Sequence, residues 1–291
     1  MPDTVHSPVT QRAIPRRVAS TGGFTIFRFD HAEEHEVSDL EAVVGRNFTN
    51  PAADGVQIVP AATVILVRDG VEVLMLRRDS KLEFAGGMWV FPGGRVDPGD
   101  HDPDRPDDRR AAERSAAARE AAEECDLRVD PSSMVRFSHW TPPPQAHRRY
   151  STAFFIAAAP AGSVTIDDGE IRAHRWASPA AVLDAQRRGE VELAPPTFIT
   201  LTQLLGGPTD AVDRLLTYWR NQPVEHFATV FAMLDGRPAA LYHGDDAYET
   251  GVEPDEPTPT GRHRLWLDTG EWHYDRTAPL PEPGSPATLL P

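Results

Sequence analysis

Lysine and cysteine are almost absent from this chain of 291 residues, in which Lys81 is the only lysine and Cys125 the only cysteine. A single cysteine excludes an intrachain disulfide and favours a cytoplasmic protein. The sequence also lacks an apolar run near the roughly 20 residues that a membrane helix needs, and its first residues lack the apolar core of a signal peptide. We therefore expect a cytoplasmic protein without a membrane partner.

Positive charge is also in short supply. Lysine and arginine together number 29 against 44 aspartates and glutamates, which gives a formal net charge of −15. Such a chain is repelled by the phosphate backbone of nucleic acids and by anionic membranes, so neither is expected as the main partner. The hydrophobic content of 40% is sufficient for one sizeable core domain with appendages.

One stretch, residues 91–127, carries the chemistry. It begins with FPGGRVDPGD and ends with RSAAAREAAEECDL. Asp107 and Asp108 suit a helix N-terminus, and the alanine-rich run that follows continues to Cys125 without glycine or proline. We expect Gly93 and Gly94, where the strand in MWVFPGG gives way to its exit loop, to let the backbone turn sharply and present carbonyl groups inward.

Three carboxylates, those of Glu120, Glu123 and Glu124, lie on one face of the predicted helix, because residues spaced three and four apart are neighbours there. They repel one another unless a cation is present, and Mg²⁺ prefers carboxylate oxygens. Three glutamates on an alanine-rich helix are also typical of a solvated face. The FPGG loop directly upstream favours the metal site.

These motifs resemble the Nudix box, Gly-x5-Glu-x7-Arg-Glu-U-x-Glu-Glu-x-Gly-U, in which U is apolar. The positions that match are Gly94, Asp100, Arg119, Glu120, Ala121, Glu123, Glu124 and Leu127. Asp100 stands for the first glutamate and Asp126 for the final glycine. Eighteen residues, 101–118, separate Asp100 from Arg119, where the family has seven. We expect the extra residues to enlarge the loop, with 101–110 either a solvated loop or a lid.

The resemblance implies a Nudix α/β/α sandwich with a mixed sheet, and a cofactor of Mg²⁺ or Mn²⁺. It also implies that the metal is held by the three glutamates with the Gly93 carbonyl, and that Arg119 orients a carboxylate. Glu170, ahead of Trp176, is predicted as a further ligand or general base, with Asp167 and Asp168 as alternatives. Four arginines border the expected site and could neutralise a pyrophosphate: Arg78, Arg95, Arg148 and Arg149. Of these, Arg78, Arg95 and Arg149 are predicted to bind the substrate.

Outside the box, the sequence predicts a hairpin of 61–67 and 71–78 across Asp69-Gly70. It also predicts a central strand over 149–159 and helices after Ser178 and over 196–205. We expect an N-terminal extension (1–56), a Nudix hydrolase domain (57–206) and a C-terminal helix-and-hairpin appendage with a Pro-rich tail (207–291). The remaining predictions concern Trp89 and Trp140, expected in the core rather than stacked on a base, and Cys125, expected on the inner side of the helix without a nucleophilic role.

The expected reaction is hydrolysis of a pyrophosphate bond in a small-molecule nucleoside diphosphate derivative. An enlarged box, TPPP and RRYSTAFF resemble the coenzyme A diphosphatase branch, although Glu83 stands where the coenzyme A signature has an arginine. ADP-ribose or NADH is the alternative substrate, and a non-catalytic ligand-binding protein of the same fold is the alternative function. A homodimer is left open.

Overall fold

The computed structural model describes residues 56–291 except 83, 145, 147, 168, 255–260, 269–270, 283, 286 and 289–291. Within the N-terminal extension, FTIFRF predicts a short strand at 24–29 and VSDLEAVV a short helix at 37–44. Both lie outside the described residues, as do Glu83 and Asp168. All described residues fall within one unit of the chain, Leu40–Pro291.

The described residues form twelve strands and four helices. The strands are β1 (Ile58–Arg68), β2 (Glu72–Arg78), β3 (Trp89–Val90), β4 (Gly93–Arg95), β5 (Val135–Thr141), β6 (Arg149–Ala158), β7 (Ile171–Ala177), β8 (Glu225–Ala228), β9 (Val230–Leu234), β10 (Arg237–Leu241), β11 (His263–Trp266) and β12 (His273–Arg276). The helices are α1 (Arg109–Cys125), α2 (Pro179–Arg187), α3 (Pro195–Leu205) and α4 (Val212–Arg220), with 3₁₀ turns at Pro98–Asp100 and Pro131–Ser133.

Eight of the described strands form one mixed sheet. Its main order is β3-β2-β1-β6-β5-β8, while β4 also pairs with β1 and β7 with β2. The β1–β6 and β5–β8 pairs are parallel, and the other pairs are antiparallel. The predicted hairpin of β1 and β2 and the predicted central strand β6 are confirmed.

The two faces of this sheet are covered by different helices. Along β1, Val64 and Leu66 point to one face, where the alanines of α1 pack against them. Ile65 and Val67 point to the other face, which α2, α3 and α4 cover. This alternation is the period of two that a strand buried on both faces requires. The α/β/α sandwich predicted from the sequence is confirmed.

Short polar side chains define the helix ends. The Asp108 carboxylate accepts a hydrogen bond of 3.0 Å from the Ala111 amide at the start of α1, and the Ser178 hydroxyl accepts one of 3.3 Å from Ala181 at the start of α2. Such caps satisfy amides that the first turn leaves unpaired. Asp126 ends α1 in the left-handed conformation, with φ of 55°, which suits the position where the family has glycine.

The C-terminal region is joined to the main sheet rather than merely tethered to it. Strand β8 extends the sheet edge by pairing with β5, and the Phe227 ring stacks on Trp140 with centroids 4.1 Å apart. Trp140 is therefore a core residue, as predicted. The runs ATVFAML and PAALYH predict a hairpin across Asp235-Gly236, and β9 and β10 form it. Strands β11 and β12 extend this pair into a second sheet.

The helices of the described ranges are either too short or too polar to cross a membrane. The long helix α1, which spans 17 residues, carries arginines and glutamates along its length.

Candidate active site

Arg119 is the centre of the site. Its Nε and Nη2 atoms donate to the two carboxylate oxygens of Asp100 at 3.0 and 2.9 Å. Its Nη2 atom also donates to the Arg95 carbonyl at 2.9 Å, while Nη1 donates to Glu120 at 2.9 Å and Glu123 at 3.0 Å. A planar guanidinium is suited to such a fork of contacts. Arg119 therefore connects the loop after β4 to the glutamates of α1.

Asp100 anchors this arginine from a buried position at the end of the 3₁₀ turn. Its carboxylate also accepts a hydrogen bond of 2.8 Å from the Asp97 amide. Burial raises the pKa of Asp100, but the hydrogen bonds from Arg119 and Asp97 outweigh it, so the pKa lies below its usual value. The aspartate that replaces the family's first glutamate thus holds Arg119 as an ionised partner.

Gly93 and Gly94 lie in strand β4 and pair with Thr63 and Ala62 of β1. The prediction that they make a sharp turn is wrong, since both are extended and neither has a positive φ. Close packing demands glycine instead. A Cβ atom on Gly93 would lie 2.5 Å from the Ala62 carbonyl oxygen, and one on Gly94 would lie 2.3 Å from Glu120 Oε1.

Thr63, which no sequence motif marks, supports the backbone just before β4. The Thr63 hydroxyl donates a hydrogen bond of 2.6 Å to the Pro92 carbonyl. The signal in the sequence was weak, a single polar residue within the apolar strand AATVILV.

Glu124 is the buried carboxylate of the cluster. The Gly93 amide donates to its Oε2 at 3.0 Å, and Arg78 Nη1 lies 3.7 Å from its Oε1. Burial raises the pKa of Glu124 to about 8, against the opposing effects of the Gly93 hydrogen bond and the Arg78 charge. Glu124 therefore lies between the β4 backbone and the Arg78 guanidinium.

The other two glutamates lie in different environments. Glu120 is partly buried against Gly94, and its burial raises its pKa although Arg119 acts in the opposite direction. The Glu123 side chain is 59% exposed and contacts Arg119 only at its outer edge. The three predicted carboxylates thus lie on one face of α1. Glu124 is the most buried of them, Glu120 is intermediate and Glu123 is the most exposed.

Glu170 reaches the same region through Arg78. Its carboxylate accepts a hydrogen bond of 2.9 Å from Arg78 Nη2, so this arginine lies between Glu124 and Glu170. The alternative residue Asp167 has a structural role, because its two oxygens accept hydrogen bonds from the amides of Glu170 at 3.1 Å and Ile171 at 3.0 Å. The third candidate, Asp168, lies outside the described residues.

The predicted substrate-binding arginines differ in position. Arg78 lies among the carboxylates, whereas the Arg95 side chain is exposed and only its carbonyl contacts Arg119. Arg149 begins β6 and donates a hydrogen bond of 3.3 Å to the Pro142 carbonyl. Its Nε atom is buried without a partner within the described chain, and burial lowers its pKa.

By donor type, the site fits a hard divalent cation. Glu120 and Glu124 both lie against the β4 backbone and offer carboxylate oxygens, the donors that Mg²⁺ prefers. Over the described ranges, no three Asp, Glu, His or Cys side chains are gathered closely enough to hold a metal ion. Arg119 and Arg78 separate the carboxylates instead.

The insert is shorter as a loop than predicted. Residues 101–108 form the loop, and α1 begins at Arg109, so the remaining extra residues lengthen the helix. Arg105 holds the loop together through contacts of 3.1 Å with Asp102 and 3.2 Å with Asp108. The lengthening has a physical reason, because the Asp108 cap and the alanine-rich run favour helix there.

Cys125 is buried at the end of α1, and its thiol donates to the Ala121 carbonyl at 2.9 Å. Burial raises the pKa of the thiol to about 12, so it is protonated at neutral pH. This agrees with the prediction that it has no nucleophilic role.

Comparison with known proteins gives one family. The model described as "NUDIX domain" matches residues 58–195. An acyl-coenzyme A diphosphatase of Xenopus laevis is 25% identical over 154 residues, which cover 50% of this chain and 39% of that protein. The chain thus matches less than half the length of this curated relative.

Solved structures give similar matches. A NUDIX hydrolase from Alicyclobacillus acidocaldarius is 24% identical with a TM-score of 0.49, covering 56% of this chain and 96% of its own. The NUDIX domain of Shewanella oneidensis NrtR, solved with ADP ribose, is 19% identical with a TM-score of 0.40, covering 57% of this chain and 97% of its own.

Proposed function

Residues 58–195 are a Nudix domain, and from this premise we propose that the protein hydrolyses a phosphoanhydride in a nucleoside diphosphate derivative with the help of a divalent metal ion. The observation that carries the proposal is Arg119, which holds Asp100, the Arg95 carbonyl, Glu120 and Glu123 in one network. An arrangement that brings β4 and α1 together around several carboxylates is what a phosphate-bound metal requires.

Glu120, Glu123, Glu124 and the Gly93 carbonyl would hold Mg²⁺ or Mn²⁺, with Glu170 as a further ligand or as the base. The metal would neutralise charge on the pyrophosphate and lower the pKa of a bound water. Arg119 orients the carboxylates through its fork of hydrogen bonds. The buried position of Glu124 supports its role as an inner ligand, since water is largely excluded there.

Glu170 is the proposed group that accepts a proton from the attacking water. Two observations support it over Asp167. Its carboxylate is exposed and reaches toward Glu124 through Arg78, whereas both oxygens of Asp167 are used by backbone amides. A general base must be free to reach the water that it deprotonates.

Arg78, Arg95 and Arg149 are proposed to bind the substrate. Arg78 is placed best, because it already lies beside two of the carboxylates. Arg149 has an Nε donor without a partner in the described chain, and an unpaired buried donor gains from an anionic ligand. Arg95 extends into solvent next to the Arg119 network.

For the substrate we propose coenzyme A or an acyl-coenzyme A, cleaved at its pyrophosphate to 4′-phosphopantetheine (or its acyl form) and adenosine 3′,5′-bisphosphate. The similarity to an acyl-coenzyme A diphosphatase supports this choice. The alternative remains an ADP-ribose or NADH pyrophosphatase. We further propose a cytoplasmic protein, on the evidence of its single cysteine.

The 3′-phosphate supplies the test, because a site that contacts it should discriminate against a ligand that lacks it. We expect kcat/KM for coenzyme A to exceed that for 3′-dephospho-coenzyme A by at least about tenfold, as one charge-assisted contact provides. Equal kcat/KM values for the two compounds, or faster hydrolysis of ADP-ribose than of either, would exclude coenzyme A as the substrate. The proposal that the protein hydrolyses some nucleoside diphosphate derivative would then remain. Binding without product release would indicate a ligand-binding protein.

A further inference from the structure

A second cationic site lies away from the glutamates, at the N-terminal half of α1. A cavity of about 280 Å³ is lined there by Arg110, Arg114, Arg136, Pro223, Val224, Gly284 and Thr288. Three of these residues are arginines and none is acidic. In a chain of net charge −15, such a local concentration of positive charge is unexpected.

The charges of Arg110 and Arg114 are not neutralised by neighbouring carboxylates. Neither arginine forms an ion pair with an acidic residue anywhere in the described ranges, and Arg114 donates only to the Arg110 carbonyl at 3.3 Å and lies over the Phe155 ring. They are spaced i and i+4 on α1, so their guanidiniums project from one side of the helix. Two like charges held together in this way are unfavourable without an anion.

Arg136 forms the inner wall of the cavity. It is paired with the buried Glu113 and contacts His139 Nδ1 at 2.7 Å. Its Nε atom is buried and has no hydrogen-bond partner in the part of the chain that the structure describes. Burial lowers the pKa of Arg136, Glu113 opposes this, and the charges of Arg110 and Arg114 lower it further. Within the described ranges Glu113 therefore pairs with Arg136 alone, and the charges of Arg110 and Arg114 remain beside it.

We propose that this basic cavity is an anion-binding site for a phosphate group, separate from the proposed hydrolytic site. Three guanidiniums offer charge and planar donors, the combination that recognises phosphate oxygens. The volume is near the lower end of the usual range for ligand pockets, about 300–1,000 Å³, which suits a phosphate or a small phosphomonoester. Arg110 and Arg114 precede Glu120 by ten and six residues, roughly 15 and 9 Å along a helix. The cavity lining contains none of the residues of the proposed hydrolytic site, so the two sites are distinct.

The test is calorimetric titration of the full chain, in EDTA, with inorganic phosphate and separately with adenosine 5′-monophosphate. The variant is Arg110→Gln/Arg114→Gln. These two side chains are not in the core, so we expect the fold to persist, and an unchanged circular dichroism spectrum checks this. The matched control is Arg187→Gln, which removes an exposed arginine on α2 paired with Asp184.

We expect the double variant to bind phosphate at least about tenfold more weakly, whereas Arg187→Gln and Arg110→Lys/Arg114→Lys retain most of the affinity. Tighter binding of the monophosphate than of inorganic phosphate assigns a phosphorylated metabolite; equal binding assigns the free anion. Equal phosphate affinity of the wild type and the Gln variant would place the anion elsewhere and overturn the proposal. Absence of binding to the wild type at millimolar phosphate would overturn it as well.

Discussion

At the scale of single residues, Gly94 is a precise probe of the site. A Cβ atom there would lie 2.3 Å from Glu120 Oε1, so Gly94→Ala should displace the Glu120 carboxylate. We expect activity to fall about 10²-fold, as for a misplacement of 1 Å, with little change in the free energy of unfolding, because the Glu120 carboxylate ends a flexible side chain that can move aside.

The matched control for this substitution is Gly99→Ala. No atom lies within 4 Å of a Cβ built on Gly99, so this variant should retain activity and stability. Steady-state kinetics and denaturant unfolding of both variants provide the comparison. Wild-type turnover in Gly94→Ala would show that the Glu120 position does not matter for the reaction.

A second pair of substitutions distinguishes Glu170 from Asp167 as the general base. Glu170→Gln should lower kcat by about 10² or more with a smaller effect on KM, as expected for the loss of a general base. Asp167→Asn should act on the loop, because its carboxylate binds the amides of Glu170 and Ile171. A larger loss of kcat in Asp167→Asn, with an unchanged thermal midpoint, would assign the base to Asp167.

At the scale of elements, the loop 101–108 offers a test of selectivity. It leads from Asp100 directly into α1, yet contains none of the proposed metal ligands. Deleting residues 102–106 should therefore change the ratio of the KM values for coenzyme A and ADP-ribose. The affinity for Mg²⁺ should stay within about twofold of the wild-type value. Loss of Mg²⁺ binding, measured by titration calorimetry, would instead show that the loop positions α1.

Strand β11 introduces a dependence of stability on pH. His263 is buried beside Glu225 and Arg276, and its main-chain amide donates to Asp245. Burial lowers the pKa of His263 from 6.5 to about 4, with Glu225 opposing. Between these values the unfolded chain binds the proton and the folded chain does not, so stability falls as the pH is lowered from about 7 to about 4.

The expected contribution of His263 is about 3 kcal/mol. Denaturant unfolding of the wild type should give a lower free energy of unfolding at pH 4 than at pH 7. Part of this decrease comes from His263 and part from the protonation of carboxylates. His263→Gln should have the smaller difference between the two pH values. If the free energy of unfolding changed equally between pH 7 and pH 4 in both proteins, His263 would be as readily protonated in the folded chain as in the unfolded chain.

The elements that the sequence predicted best are those with local signals. The Asp108 cap, the alanine run of α1 and the Asp69-Gly70 turn each act within a few residues, so their outcome follows from nearby chemistry. The role of Gly93 and Gly94 cannot be predicted from local sequence, because it depends on contacts with Ala62 and Glu120. Glycine is compatible with both a turn and close packing, and only the partner strand decides between them.

At the scale of the whole molecule, the least predictable feature is the attachment of the C-terminal region. The sequence around Glu225–Ala228 is a short run without a strong pattern, yet β8 extends the main sheet through a parallel pair with β5. Parallel pairing between distant segments leaves no local trace in the sequence. The same holds for the basic cavity, which joins α1, β5 and residues 223–224, 284 and 288.

The central claim is that the glutamates of α1 support metal-dependent cleavage of a pyrophosphate. The most direct measurement is product release from coenzyme A and ADP-ribose by the wild type and Glu124→Gln, with Mg²⁺ and with EDTA. Gln keeps an acceptor for the Gly93 amide but not the charge, so the fold should persist, and Glu72→Gln is the exposed control. We predict hydrolysis that requires Mg²⁺ and falls at least about 10²-fold in Glu124→Gln only. Undiminished hydrolysis in EDTA, or by Glu124→Gln at saturating Mg²⁺, would contradict the account.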